Sequence, residues 1–282
     1  MTPSFSPLRY PGGKSQFYDS VTNILDRNKL QNIVYCEPFA GGAGVALRLL
    51  AEGRASKIII NDADVAIYSF WYEVVFDTEW LIEQIATIPI NLDMWQIQKN
   101  ILNNPCSTTR ELGLAVLYLN RTNRSGILKA GPIGGKGQTG SYKIDCRFNR
   151  DSLIRKINKI AIFKNRIIIE NLDAEVFIKK YSHLENAFWF IDPPYYVKGS
   201  ELYQNFYVHE SHLSLEKCIK YYLINKKWLL TYDNCPQIME IYKWAPSLAF
   251  DLKYSVQVKR IEKELLFWNN LRVDERMLCR YE

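Results

Sequence analysis

The stretch NIVYCEPFAGGAGVALRLLAEGRASKIIIND, from Asn32 to Asp62, predicts the fold. It begins with a short apolar strand at 32–39, passes through the glycine-rich turn AGGAG into the helix-like segment VALRLLAEG, and ends in the apolar strand KIIIND. A strand, a crossover helix and a second strand in this order form the β-α-β unit of a parallel sheet. The sequence therefore predicts an α/β protein.

The α/β pattern returns later in the chain, in the apolar runs RIIIEN, WFIDPP, WLLTYDN and KELLFWNN. Residues 1–70 and 165–282 therefore predict one sheet domain that is built from both ends of the chain. The insert between them, residues 71–164, is helical at first and then rich in glycine, lysine and arginine. In this second part, residues 121–147, we expect hairpins and loops, because glycine clusters mark turns.

Composition excludes several classes of protein. The chain has 282 residues, of which 48% are hydrophobic and 23% charged, so we expect a substantial core and little disorder. It has no run of about 18 apolar residues, and MTPSFSPLRY lacks the apolar core of a signal peptide, so we expect a cytoplasmic protein. The six cysteines form no C-x-x-C pair, so we expect free thiols, no disulfide framework and no metal site.

Charge is unevenly distributed along the chain. The net charge is +6, but the block from Arg121 to Arg166 holds twelve Lys or Arg against Asp145 and Asp151, a local charge of +10. The remainder of the chain therefore sums to −4, that is +6 minus +10. A basic block in an otherwise slightly acidic protein favours a polyanionic partner such as nucleic acid, with a solvated basic face as the alternative.

The glycine-rich turn after the first strand predicts a ligand site. Gly41, Gly42 and Gly44 stand where a strand turns into a helix, which lets the backbone approach a ligand closely. The pattern is not the G-x-G-x-x-G dinucleotide fingerprint. Asp62 ends the next strand, at the position where a carboxylate binds ribose hydroxyls, and Asp64 is the less favoured alternative. An adenosine-containing ligand fits this arrangement.

A second site is predicted at WFIDPPYY, residues 189–196. The apolar run before Asp192 indicates a buried strand that ends at the acid, and ligands of α/β sheets bind at this carboxyl edge. Pro193 and Pro194 remove two backbone donors and leave carbonyl oxygens free to accept hydrogen bonds. The stretch is therefore an acceptor-rich corner followed by two tyrosines.

Five motifs occur in a fixed order along the chain: LRYPGGK, EPFAGGAG, LYLNRTNRSG, FIDPPY and KELLFWNN. In this order the chain resembles the Dam-like (D12 class) adenine-N6 DNA methyltransferases, over almost its whole length. The resemblance implies a Rossmann-like, seven-stranded sheet that binds S-adenosyl-L-methionine. Residues 1–70 and 165–282 would then form the catalytic domain. Residues 71–164 would be a mainly helical plus hairpin target-recognition insert on double-stranded DNA.

The chemistry that the resemblance implies suits the acceptor corner. The amino group of a purine is a poor nucleophile, because its lone pair is delocalised into the ring. If Asp192 accepts one N–H and the Pro193 carbonyl accepts the other, the nitrogen is drawn toward a tetrahedral geometry that faces the methyl donor. Pro194 completes the rigid turn. Tyr195 would stack on an adenine that has been flipped out of the duplex.

The resemblance also implies cofactor contacts. Lys14, and Tyr10 four residues before it, would contact the cofactor; many relatives have tryptophan at the position of Tyr10, so the tyrosine is a departure from the pattern. Gly12 and Gly13 would let this loop close over the methionine end. Asp173 would reach the adenine edge. The complete set of expected cofactor contacts is Tyr10, Lys14, Pro38, Phe39, Gly41, Gly42, Asp62, Asp173 and Asp192.

The basic middle of the chain is expected to read DNA. Side chains suited to base edges are those of Asn120, Arg121, Thr122, Asn123, Arg124 and Ser125. Phosphate contacts are expected from Lys129, Lys136, Lys143 and Arg147. For Arg121 a structural role at the end of a helix stays open. A monomer and a cognate restriction enzyme as partner are further expectations, with association with the nucleoid if the protein is cellular.

Several alternatives stay open at this point. A cytosine-N4 methyltransferase is the chemical alternative, because the same acceptor corner serves either amino group. A relative that binds DNA without turnover is the second. Pro105 and Cys106 are reminiscent of a cytosine-C5 nucleophile, but no strand precedes them to aim the thiol. His209 and His212 are interpreted as packing or solvated residues rather than metal ligands.

Overall fold

The protein is described by a computed structural model over residues 5–9, 14–197, 207–254 and 260–278. A seven-stranded sheet runs through these residues in the order β3-β2-β1-β4-β5-β7-β6. The strands are β1 (Ile33–Glu37), β2 (Ala55–Asn61), β3 (Ile167–Glu170), β4 (Ala187–Ile191), β5 (Lys227–Asp233), β6 (Ser247–Tyr254) and β7 (Arg260–Asn269).

Strands β1 to β5 are parallel, and β7 runs antiparallel between β5 and β6. The five residues of β4, AFWFI, are all buried, as expected of a parallel strand that is covered on both faces. The prediction of a Rossmann-like α/β sheet is confirmed by this topology. Strand β6 was not predicted, because SLAFDLKY lies at the sheet edge and lacks the continuous apolar run of the inner strands.

Helices cover both faces of the sheet and form most of the insert. They are α1 (Tyr18–Arg27), α2 (Gly44–Ala51), α3 (Val65–Phe76), α4 (Thr78–Thr87), α5 (Leu92–Asn103), α6 (Thr109–Thr122), α7 (Arg150–Ala161), α8 (Ala174–Tyr181), α9 (His209–Leu223) and α10 (Pro236–Ile241). Short 3-10 turns lie at Lys14–Phe17, Arg124–Gly126, Lys164–Arg166 and Glu275–Met277. Within the described ranges, no helix is both long and apolar enough to cross a bilayer.

The insert shares its core with the sheet. Val74 of α3 and Leu117 of α6 belong to the same buried cluster as Phe190 of β4 and Leu266 of β7. The predicted boundary between residues 70 and 71 falls inside α3, so one helix serves both parts of the chain. Packing of α3 against α6 therefore fixes the insert on the sheet domain.

The glycine-rich part of the insert is held by turns rather than by the expected hairpins. In residues 121–147 the strand-type pairing is a single β-bridge between Asn123 and Pro132. The Gln138 side chain organises the following loop, since its amide donates to the carbonyls of Ile133 and Gly135 and accepts from the Ile144 N–H. Side-chain amides thus replace strand ladders in this segment.

The segment 5–9 is fixed to the end of α6 by one buried amide. Asn120, 2% exposed, accepts the Arg9 N–H at 2.7 Å and donates to the Arg9 carbonyl at 2.9 Å. The same amide donates to the Gly126 carbonyl at 2.9 Å. Gly126 has φ +76°, and a Cβ there would lie 2.4 Å from the Arg9 carbonyl oxygen. The contact therefore requires glycine.

We expect Gly126→Ala to lower the free energy of unfolding by about 2–5 kcal/mol, because left-handed strain and overpacking add. Gly53→Ala is the matched control, since Gly53 has φ +71° but nothing within 4 Å of its added Cβ. It should cost only the strain, roughly 1–2 kcal/mol. Urea unfolding measures both, and equal losses would contradict the close approach of the Arg9 carbonyl.

Candidate active site

The site lies where the strand order reverses. Strand β1 pairs with β2 on one side and with β4 on the other, so their carboxyl ends open a crevice between two oppositely directed crossovers. Glu37 is the last residue of β1, and Asp192 directly follows β4. The fold thus brings the two predicted motifs, EPFAGG and DPPY, to the same edge of the sheet.

Lys14 and Asp192 form a buried ion pair at this edge. The Lys14 ammonium lies 2.8 Å from Asp192 Oδ1 and 3.1 Å from Oδ2. It also donates to the Tyr195 hydroxyl at 2.7 Å and lies 3.4 Å from Glu264 Oε2. Lys14 is 5% exposed, so this single cation neutralises two carboxylates away from bulk water.

Glu264 and Thr231 complete the network, and sequence reasoning missed both. Glu264 of β7 is 1% exposed and accepts a hydrogen bond from the Tyr195 hydroxyl. Thr231 of β5 donates to Asp192 Oδ1 at 2.6 Å. The available signal for Glu264 was an acid inside the apolar strand KELLFWNN, because a buried acid needs a partner.

Burial and neighbouring charges have opposing effects on the pKa values of Asp192 and Lys14. Burial raises the pKa of Asp192 above its ordinary value, and the nearby Glu264 charge raises it further, while Lys14 and Thr231 oppose the shift. For Lys14, burial alone would lower the pKa, but Asp192 and Glu264 outweigh it and the pKa is raised. Lys14 therefore stays protonated, and its charge favours the ionised form of Asp192.

The turn after Asp192 is held by a second carboxylate. Asp233, at the end of β5, accepts the N–H groups of Tyr196 at 2.9 Å and Val197 at 2.8 Å. Pro193 and Pro194 are buried. Tyr195 is 2% exposed, and its hydroxyl accepts from Lys14 and donates to Glu264. In this conformation its ring is packed inside the protein rather than presented to a base.

The glycine turn is organised around Asp62. Its carboxylate accepts the Gly41 N–H at 2.9 Å and the Asp64 N–H at 3.0 Å. Burial raises the pKa of Asp62 to about 7, with the Asp64 charge as the second cause. Asp64 itself caps α3 by accepting the Ala66 N–H, so its carboxylate serves a helix terminus. Asp62 is therefore the better-placed acid for a ligand in the crevice.

Asn61 joins two loops at the rim of the crevice. It is 1% exposed, donates to the carbonyls of Pro38 and Leu172, and accepts the Leu172 N–H. Phe39 packs edge-on against Tyr207 with ring centroids 5.9 Å apart. Asp173, one residue beyond Leu172, is exposed and caps α8 by accepting the Glu175 N–H at 2.8 Å. The predicted Pro38, Phe39 and Asp173 thus share one rim.

Glu37 is a buried acid with an unused oxygen. Its Oε2 atom lies buried without a hydrogen-bond partner. Burial raises its pKa well above the ordinary value, and the charges of Asp192 and Asp62 add to this. Three acids therefore approach one another at the crevice, with Lys14 as a buried cation among them. Such a site favours a ligand that carries positive charge.

The predicted DNA-facing residues divide into buried and exposed groups. Thr122 is fully buried and bonds to the Tyr118 carbonyl, and Asn123 accepts the Trp95 indole N–H at 2.6 Å. Contrary to the expectation, neither side chain reaches a base edge here, because internal bonds occupy both. The same holds for Asn120, whose amide binds backbone groups of Arg9 and Gly126. Arg121 is half-buried and donates to the Pro7 carbonyl. Ser125 is half-buried, and the exposed members are Arg124, Lys129, Lys136, Lys143 and Arg147.

Some of the residues singled out in the sequence lie outside the described residues, and others have a structural role. Tyr10, Gly12 and Gly13 lie outside the described residues. His212 is fully buried beside the Tyr232 hydroxyl at 2.8 Å, and burial lowers its pKa to about 4. No group of three or more potential metal ligands occurs in the described part of the chain. The described cysteines are free.

Comparison with known proteins places this geometry in context. The family model for D12 class N6 adenine-specific DNA methyltransferases matches residues 10–260. No curated protein sequence gives a match. Solved structures that match include a Pyrococcus horikoshii protein described as an RNA methyltransferase (11% identity, 93% of this chain and 84% of that chain covered, TM-score 0.43). The rRNA methyltransferase AviRa of Streptomyces viridochromogenes also matches (10% identity, 92% and 86% covered, TM-score 0.42).

We expect Lys14→Met to destabilise the protein in a pH-dependent way. It leaves Asp192 and Glu264 buried without their cation, which costs about 3–5 kcal/mol when both are ionised. The pKa of Asp192 should rise further, so the cost is full above its folded pKa and disappears as the pH falls below its unfolded pKa of about 3.9. Urea unfolding across this pH range measures the effect.

The double variant Lys14→Met with Glu264→Gln is the control for that experiment. It removes one of the two uncompensated carboxylates and should regain part of the lost stability at neutral pH. A stability loss that does not change with pH, or no recovery in the double variant, would show that Lys14 acts by packing alone.

Proposed function

The chain belongs to the D12 class N6 adenine-specific DNA methyltransferases, and from this premise we propose how its residues perform the reaction. The enzyme methylates the N6 amino group of adenine in DNA. We propose S-adenosyl-L-methionine as the methyl donor, bound in the crevice between β1 and β4. The observation that carries the proposal is the buried Lys14–Asp192 pair at the end of β4, beside the Pro193 carbonyl.

The residues at the crevice suit this cofactor. S-Adenosyl-L-methionine has positive charge on its sulfonium and ammonium groups, and the crevice offers the buried acids Glu37, Asp62 and Asp192. The unused oxygen of Glu37 is one available acceptor. Asp62 keeps lone pairs for ribose hydroxyls, because each of its oxygens accepts one backbone N–H. When bound, the cofactor supplies an electrophilic methyl group.

Other residues are proposed to complete the cofactor site. Gly41 and Gly42 let the turn approach the ligand, and Trp71 holds this turn by donating to the Gly41 carbonyl at 2.8 Å. Pro38 and Phe39 form the rim together with Asp173, for which we propose contact with the adenine edge. Tyr10 and Lys14 are proposed contacts by the family resemblance.

Asp192 and Pro193 are the proposed catalytic residues. The Asp192 carboxylate already accepts from Lys14 and Thr231, and a carboxylate has about four lone-pair positions in total. It can therefore accept an N–H of the adenine amino group, while the Pro193 carbonyl accepts the second. This localises the nitrogen lone pair toward the methyl group. After transfer, Asp192 is placed to accept the proton that the nitrogen must lose.

Thr231 acts on the reaction through Asp192, and Glu264 acts through Lys14 and Tyr195, so both are positioning residues; Lys14 orients Asp192 in addition to its proposed cofactor contact. Thr231 and Lys14 fix the plane of the carboxylate, since both contact Oδ1. Glu264 holds Lys14 and Tyr195 in place from β7. Stacking of a flipped adenine on Tyr195 stays a proposal and requires its buried ring to become accessible. Pro194 is proposed to keep the turn rigid.

We propose that residues 71–164 recognise DNA while residues 1–70 and 165–282 form the catalytic domain. Arg124 and Ser125 remain the candidates for base edges, because Thr122 and Asn123 are used internally. The proposed phosphate contacts are Lys129, Lys136, Lys143 and Arg147, all exposed. A monomeric state, a cytoplasmic location and a cognate restriction enzyme are further proposals from the same resemblance.

We expect Asp192→Asn to reduce methyl transfer by at least about 100-fold, because an amide is a weaker acceptor and presents an unwanted donor. Thr231→Val should cause a smaller loss, since it removes one bond to Asp192 and leaves the carboxylate. The assay uses S-adenosyl-L-methionine labelled in its methyl group, followed by digestion of the DNA to nucleosides. Label in N6-methyl-2′-deoxyadenosine supports the proposal. Turnover by Asp192→Asn close to that of the wild type would refute the acceptor mechanism.

We expect cofactor affinity to fall as the pH drops through 7 if Asp62 binds the ribose. Its pKa is about 7, and the ionised form is the better acceptor of hydroxyl groups, so protonation weakens binding. In Asp62→Asn the affinity should be lower and this step should be absent. Calorimetric titration with S-adenosyl-L-methionine from pH 6 to 8 measures it. Asp64→Asn is the matched control and should keep the step, displaced to lower pH, when the titration is extended below pH 6, because Asp64 caps α3 and its charge adds to the raised pKa of Asp62.

A further inference from the structure

Four cations influence one another where the segment 5–9 is hydrogen-bonded to α6 and α7. They are Arg9, Arg121 at the end of α6, Arg147 in the loop before α7, and Lys156 of α7, and we refer to them as the Arg9 cluster. Arg9, Arg121 and Lys156 are half-buried, and Arg147 is exposed. No carboxylate of the described residues forms an ion pair with any of the four.

Backbone carbonyls satisfy only part of the cluster. Arg121 donates from Nη2 to the Pro7 carbonyl, and Lys156 donates to the Ser6 carbonyl at 2.9 Å. The Nη1 atom of Arg9 and the Nε atom of Arg121 are buried without a hydrogen-bond partner. Leaving such donors unsatisfied is costly, and positive charges without an acid partner add to the cost. An anion that accepts hydrogen bonds from several of these N–H groups at once would satisfy the buried donors and neutralise their charge.

The charges of the cluster act on one another. Burial lowers the pKa of Lys156 to about 8, with Arg121 as the second cause. Burial likewise lowers the pKa of Arg121 to about 10, and Arg9 and Arg147 lower it further. For Arg9, burial and Arg147 lower the pKa, while Cys146 opposes them. The pKa of each of these three side chains is lowered by another cation of the cluster. The four side chains therefore form one electropositive site.

We propose that the Arg9 cluster is a clamp for a single backbone phosphate of the substrate DNA. This rests on the proposed function, because it takes DNA as the ligand of this chain. A phosphodiester has two free oxygens that suit the forked guanidinium donors of Arg9 and Arg121. Arg147 and Lys156 would then neutralise the charge from the side. Arg9 stands five residues before Lys14, so the clamp fixes the DNA strand on the same N-terminal segment that reaches the catalytic corner.

The test combines charge removal on the protein with charge removal on the DNA. A substrate duplex, which carries the site where adenine methylation is mapped, is prepared with one neutral methylphosphonate at each backbone position in turn. For the wild type, one position should weaken binding roughly tenfold, the loss of one charge-assisted contact. For the Arg9→Gln variant, a methylphosphonate at that DNA position should cause no further loss of binding. The salt dependence of this variant should also fall by about one unit of slope.

Two further variants keep the test decisive. Arg147→Gln alters an exposed side chain and should give the same loss of coupling without a risk to folding. Arg155→Gln is the matched control, because Arg155 is an exposed arginine of α7 one residue before Lys156. It should keep the full sensitivity to the neutral phosphate. Equal behaviour of Arg155→Gln and Arg9→Gln, or no sensitive position in the scan, overturns the clamp.

Inorganic phosphate is the probe that distinguishes a free anion from a DNA backbone phosphate as the ligand of the Arg9 cluster. If it raises the melting temperature of the wild type but not of Arg9→Gln, while the methylphosphonate scan shows no coupled position, the cluster binds a free anion and the DNA assignment is wrong. DNA that is bound and methylated without a coupled position overturns the clamp alone. Absence of both DNA binding and methylation in the wild type would overturn the proposed function together with the clamp.

Discussion

One buried ammonium group connects three distant parts of the chain. The Lys14 Nζ atom contacts Asp192 after β4 and Glu264 in β7, and both carboxylates lose most of their contact with water. Either acid alone at this depth would be unfavourable, because burial penalises an isolated charge. The geometry around Asp192 therefore depends on the position of Lys14, although the described residues before α1 contribute no strand to the sheet.

Uncharged clamps fix the remaining parts of the crevice. Asn61 joins the loops after β1 and β3 through the Pro38 carbonyl and both backbone groups of Leu172, and Asn120 joins segment 5–9 to α6 in a similar way. A buried amide that satisfies its donors and acceptors costs little and specifies one geometry. The site thus combines one buried ion pair and the Asp62 carboxylate of the glycine turn with several neutral connections, and only the charged groups are sensitive to pH.

The sequence predicted the parts of the molecule that local patterns encode. Apolar runs identified β1, β2, β3, β4, β5 and β7, and the motif DPPY identified Asp192 at the correct edge of the sheet. Thr122 and Asn123 were assigned to DNA, because a polar side chain in a basic segment gives no sign of burial; Asn123 is buried by Trp95, 28 residues earlier. Thr231 and Glu264 were missed because their contacts are distant in sequence. Thr231 donates to Asp192, 39 residues away, and Glu264 accepts from Tyr195, 69 residues away, so only the folded sheet brings these residues together.

The N-terminal segment couples the two halves of the enzyme. Arg9 is fixed to the insert through Asn120, and Lys14 is fixed to the catalytic corner through Asp192. Five residue steps separate them, which limits their distance to about 18 Å even in a fully extended chain. These five residue steps limit how far α6 can move relative to the sheet. A larger movement would break either the hydrogen bonds of Asn120 to Arg9 or the Lys14 ion pair. Under the proposal that Arg9 contacts DNA, the bound phosphate lies five residues from the cation that favours the ionised form of Asp192, so we expect DNA contact and the charge state of Asp192 to be linked.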